Sequence, residues 1–153
     1  MPDWIEDAAK KLKAEAERLK QEEECRRVMA ATLLAQRPNI FGSLLAAVEK
    51  DVDLFAVHFP DAQEKLQKPI VIGDTKFEVL RAYSPIFDLD VTWDGNISIE
   101  WRISGERCIE SGAFEMKYND AGGGLYDGGT VISFEEASKK LIAPAIRGLA
   151  WKK

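Results

Sequence analysis

At 153 residues, with 46% hydrophobic and 31% charged side chains, the chain is long enough to bury a sizeable core in one domain without disulfides or a structural metal. Two cysteines, Cys25 and Cys108, and one histidine, His58, are too few ligands for a zinc finger, an iron-sulfur cluster or a disulfide scaffold, so neither a metal nor a cofactor is expected. A formal charge of −5 and a pI of about 5.0 argue against a protein built to hold nucleic acid or an anionic membrane, and the absence of a long apolar run or signal-peptide pattern makes the expected location cytoplasmic.

Residues 3 to 35 carry no Gly or Pro and 15 charged side chains, 8 acidic and 7 basic, interspersed with Ala and Leu, which predicts one long charged helix. Its apolar positions, Ile5, Ala8, Ala9, Leu12, Ala16, Leu19 and then Val28, Met29, Leu33 and Leu34, form a narrow stripe. Charge interrupts that stripe between Gln21 and Arg27, so a sustained zipper is not expected. The second half of this helix is expected to pack on the domain and the first half to project from it. Residues 36–153 then form a single α+β domain.

Arg37-Pro38-Asn39 predicts a break, and a second helix capped by Ser43 runs to Pro60 with Leu44, Leu45, Val48, Val52, Phe55, Ala56 and Phe59 as its core stripe. From Pro69 to Ser133 the pattern turns to short strands, giving an antiparallel meander of four to six. An edge pair is expected around Gly73-Asp74-Thr75. In the centre, Phe87, Leu89, Val91 and Trp93 alternate with polar residues, and Ile97, Ile99, Trp101 and Ile103 resume the alternation after Asp94-Gly95-Asn96. A three-residue loop closed by a left-handed Asn96 pairs Trp93 with Ile97, Val91 with Ile99, Leu89 with Trp101 and Phe87 with Ile103.

The apolar parity changes between Ile109 and Phe114, Met116 and Tyr118, which predicts a bulge at Gly112. Gly122 to Gly129 reads as a mobile loop with a tight turn at Asp127-Gly128-Gly129, and Tyr126 is its best contact side chain. Ser133-Phe-Glu-Glu136 is a capping box opening a C-terminal helix with Ala137, Leu141, Ile142, Ala145, Ile146 and Leu149 inward, kinked or divided by Pro144. The expected fold is therefore α+β, with the helices on one face of the sheet.

Chemistry is sparse. On the polar face of the central hairpin, the expected register sets Asp88 opposite Arg102 and Asp90 opposite Glu100, a like-charge pair able to hold a cation or to separate its two pKa values. Glu110 joins them if Ile103 pairs with Ile109, and Arg102, Arg81 or Lys117 would relieve the charge. Asp90, Thr92, Asp94 and Gly95 imitate the start of a calcium loop, but Trp101 stands where the closing carboxylate belongs, so Asp-Gly-Asn is turn chemistry. The glycine stretch lacks the endings of a phosphate loop, His58 has no catalytic partner, Cys25 lies between acids and arginines on the first helix, and Cys108 reads as a packing residue.

With no catalytic constellation, the expected function is a non-enzymatic protein-interaction module of the chaperone, adaptor or inhibitor kind. It would associate with itself or with a protein partner through Trp4, Ile5, Ala8, Leu12, Ala16 and Leu19. The rival expectation is a small-ligand or cation-binding protein, or an enzyme, using Asp88, Asp90, Glu100, Arg102 and Glu110.

Overall fold

The computed structural model describes residues 3–106, 109–119 and 122–150. A 56-residue helix, α1 (Asp3–His58), leads into seven strands, β1 (Ile70–Ile72), β2 (Lys76–Arg81), β3 (Phe87–Trp93), β4 (Ser98–Gly105), β5 (Ile109–Asn119), β6 (Gly122–Asp127) and β7 (Thr130–Ile132). The described chain closes on α2 (Phe134–Ala150). The strands form one antiparallel sheet in chain order, which needs only short connections. The layout is α+β as expected, but the meander has seven strands rather than four to six, and one N-terminal helix stands where two were expected.

That helix runs through Pro38. The proline ring removes the donor that the Leu34 carbonyl would accept, and because Leu34 and Pro38 are both exposed, water can satisfy that carbonyl. Around the proline, Leu33 packs on the core, Ile40 and Phe41 are buried in it, and Gln36 Oε1 accepts the Gly123 backbone N–H at 3.0 Å. Tertiary packing on both sides of Pro38 outweighs its local bias. Contact with the body also starts later than expected: every residue from 3 to 31 is exposed, and among the expected stripe residues near that point only Leu33 is partly covered.

One face of the sheet buries Phe77, Val79, Leu89, Val91, Ile99, Trp101, Ile103, Phe114, Met116 and Leu125. They meet Ile40, Phe41, Leu44, Val48, Val52 and Phe55 of α1 and Ala137, Leu141, Ile142, Ala145 and Leu149 of α2. Ile146, expected in that stripe, is instead half-exposed. The Ser133 cap forms, its Oγ accepting the Glu136 N–H at 3.0 Å, and α2 continues through Pro144 without dividing.

The central hairpin keeps the expected faces but not the expected partners. Trp93 pairs with Ile99, Val91 with Trp101, Leu89 with Ile103 and Phe87 with Gly105. A slip of two residues leaves every side chain on its own face, so alternation cannot choose between the two registers, and turn chemistry does. Asp94 Oδ1 accepts the N–H groups of Asn96 (2.7 Å) and Ser98 (3.3 Å), while Asp94 N donates to Ser98 O at 3.0 Å. The loop is therefore Gly95-Asn96-Ile97. Gly95, at φ 80°, takes the left-handed position assigned to Asn96.

Gly112 forms no bulge in the β4–β5 pairing, which is regular from Ser98 opposite Glu115 to Ser104 opposite Ile109. It lies directly across from Trp101 and beneath the indole: a Cβ there would stand 2.6 Å from the ring. The parity change arises because Ile109 points to the outer face, where it is exposed, while Glu110 sits on the helix side. The Gly122–Asp127 stretch, expected as a loop, is strand β6. Gly123 lets α1 approach it closely, since a Cβ would meet Gln36 Oε1 at 2.6 Å. The tight turn at Gly128-Gly129 is present, both residues with positive φ.

Arg81 is the one charged side chain buried among the described residues. Expected on the outer face, it points into the helix side, where Nε donates to Pro85 O (2.8 Å), Nη1 to Glu64 O (3.2 Å) and Nη2 to Ala145 O (3.2 Å). Its fork thus ties the end of β2 to the turn after α1 and to the last part of α2.

Candidate functional site

The outer face of the sheet carries Glu78 on β2, Asp88 and Asp90 on β3, and Glu100 and Arg102 on β4, because these residues alternate with the buried ones. The register replaces the expected pairs. Asp90 stands opposite Arg102, Asp88 opposite Ser104 and Glu100 opposite Thr92, so the Asp90 and Glu100 pair does not exist. Glu110 pairs with Ile103 on the helix side and ion-pairs with Arg147 at 3.4 Å, which removes it from this face. The structure therefore brings together Asp88, Asp90, Glu100 and Arg102, and separates Glu110 from them.

A like-charge pair does exist, with another partner. On its β2 side Asp90 faces Glu78 directly, and Lys76 ion-pairs with Glu78 at 3.3 Å. Burial raises Asp90 above the ordinary carboxyl pKa, the Asp88 charge adds to this, and the Glu78 hydrogen bond and charge act in the same direction against Lys76. Asp88 is raised as well, by burial first and then by Glu78, with Lys76 opposing. The Asp90–Glu78 pair can share a proton. On the β4 side of Asp90, Lys76, Asp90, Thr92, Glu100, Arg102 and Ser111 line a shallow hollow of ≈ 490 Å³ that does not include Glu78, and no group of three or more metal-ligating side chains occurs among the described residues. Nothing in the five-residue connection from 82 to 86 fixes the β2–β3 register, so alternation alone does not place Glu78 opposite Asp90.

A second feature has no counterpart in the sequence reading. Where α1 ends beside α2, Leu54, Phe55, His58, Phe59, Ile142 and Ile146 line an apolar groove of ≈ 740 Å³ rimmed by Asp51, Glu135 and Lys139. Asp51 Oδ2 accepts the Ser138 hydroxyl at 2.6 Å, which joins the two helices at the groove wall. His58 is exposed at this helix end.

The third candidate is the interaction helix. Trp4, Ile5, Ala8, Leu12, Ala16 and Leu19 are all exposed, Trp4 by 71% and Leu12 by 70%. Charged pairs along the helix, Glu6 with Lys10 (3.9 Å), Glu15 with Arg18 (4.0 Å) and Glu23 with Arg27 (3.6 Å), are solvated and add little stability. Cys25 is a free, exposed thiol on the same helix, and Cys108 lies outside the described residues. Tyr126 sits on β6 beneath the Lys117 ammonium, 5.3 Å from the ring centre, rather than on a loop. No described helix is long and apolar enough to cross a membrane. No protein-family description, curated protein or solved structure matches the chain.

Proposed function

We propose that the protein works by protein contact through the N-terminal part of α1, as a module of the chaperone, adaptor or inhibitor kind rather than as an enzyme. One observation carries this reading: the helix is uninterrupted from Asp3 to His58, yet every residue from 3 to 31 is exposed, Ile5, Leu12 and Leu19 among them. An apolar side chain of that size gains roughly 1.5–3 kcal/mol when fully buried. A second helix laid along the stripe supplies that burial, and the body beyond Leu33 does not.

The test compares the full chain with one beginning at Glu23. At a dilution where the full chain is unassociated, both should show the same melting midpoint, because residues 3–22 are exposed along their whole length. Only the full chain should retain a specific protein companion or a raised molar mass. Equal molar mass and an equal set of captured proteins for the two chains would defeat the proposal.

A ligand-binding reading of the outer sheet face has one point in its favour: Asp88 Oδ1 is buried without a hydrogen-bond partner. A cation or cationic ligand docked there would pull the Asp88 and Asp90 pKa values back down, which carboxyl NMR titration with and without magnesium or calcium would detect. Unmoved titration curves would end that reading.

A further inference from the structure

The exposed stripe has a repeat of seven: Ile5, Leu12 and Leu19 stack along one line of α1, with Ala9 and Ala16 between them. Charges border this seam asymmetrically. Immediately after the large residues come Glu6, Lys13, Lys20 and, one repeat beyond, Arg27, while immediately before the intervening positions 9, 16 and 23 come Ala8, Glu15 and Glu22. One flank is thus mainly basic and the other acidic.

We infer that the stripe is the contact surface for a second copy of this chain, pairing as a short parallel coiled coil. The inference rests on the protein-contact reading above and adds the partner and its orientation. In a parallel pair the acidic flank of each helix faces the basic flank of the other, so that Glu15 meets Lys20 of the second copy and Glu22 meets Arg27, once on each side of the two-fold axis. An antiparallel pair instead sets Glu15 and Glu22 against their own kind and Lys13, Lys20 and Arg27 against theirs, with Glu6 the exception. Alanines at the smaller seam positions allow the two backbones to come close. Glu23 and Arg26 occupy the next seam positions and end the apolar contact, so the seam is short and the dimer weak.

Sedimentation equilibrium on the full chain, over a series from micromolar to millimolar, should show a monomer–dimer equilibrium that weakens with added salt. Glu15→Lys with Glu22→Lys, and separately Lys20→Glu with Arg27→Glu, should each weaken the dimer by about tenfold or more, because the flanking pairs become repulsive. Mixing the two variants should restore association. Ala16→Cys in a Cys25→Ser background should give, on oxidation, a covalent dimer whose bridge peptide mapping assigns to position 16 and not to Cys108. All of these positions are exposed, and unchanged far-UV circular dichroism verifies the fold. A full chain that stays monomeric across the series overturns the inference, while the loss of a different protein companion on truncation to Glu23 would still uphold the contact reading. A dimer that refuses the position-16 link, or that the charge reversals leave unchanged, overturns the parallel seam.

Discussion

Arg81 shows how one residue organises three segments. Burial pulls its pKa below the ordinary arginine value, and nearby Glu64 opposes that shift, yet the closest acceptors are three backbone carbonyls rather than a carboxylate. Arg81→Ala leaves those carbonyls without their donor in a closed interior, and we expect a loss on the order of 3–5 kcal/mol in urea unfolding. Arg81→Lys should recover only part of it, because an ammonium lacks the planar fork. Asp90 acts in the opposite sense. Its folded pKa lies above the unfolded value, so between the two the native state binds more protons, and its contribution to stability falls as pH rises through that window. Asp90→Asn, which can still donate to Glu78, should therefore stabilise the protein near neutral pH by up to about 1 kcal/mol. That gain should shrink in acid, below the raised pKa of the folded Asp90, where the wild-type carboxyl holds its proton. An equal gain at both pH values would remove the charge explanation. The presence of an uneasy carboxylate on this face was legible in the sequence, but its partner was not, because Glu78 and Glu100 flank Asp90 on opposite sides and the choice depends on register.

At the scale of elements, alternation recovered which side chains of the central hairpin, from Phe87 to Trp93 and from Ile99 to Ile103, face the helices, and capping recovered the start of α2. What alternation cannot see is a slip by two, and this moved each partner of the central hairpin while leaving Phe87, Leu89 and Val91 in the core. Glycine was misread for a related reason. Gly112 and Gly123 serve close packing in strands, the first beneath Trp101 and the second beneath α1, and nothing local separates such a glycine from one in a bulge or loop. Proline was misread because its local cost was weighed without the packing around it. If α1 tolerates Pro38 only through the contacts of Leu33, Gln36, Ile40 and Phe41, then Pro38→Ala should restore the hydrogen bond to Leu34 and relieve the ring. Unfolding free energy should rise by up to about 3 kcal/mol with no loss of helicity. A destabilised variant would mean that the packing around this position requires the proline itself.

For the whole molecule, the decisive contrast lies within one helix. From Ile40 to Phe55, α1 forms part of the core, whereas from 3 to 31 it runs over about 43 Å with no body beside it. Local propensity, the helix's own backbone hydrogen bonds and three solvated ion pairs hold that stretch in the monomer, and isolated helices are only marginally stable in water. Amide hydrogen exchange should therefore divide α1. The amides of Ile40 to Phe55 should open only with global unfolding, and those of residues 3–31 should exchange orders of magnitude faster in dilute solution. Raising the protein concentration should slow exchange in Ile5 to Glu22 selectively, because a second helix adds protection there and leaves the core amides at their global limit. If residues 3–31 were as protected as the core at every concentration, the first half of α1 would be held by contacts of its own body, and the case for a helix awaiting a partner would fail.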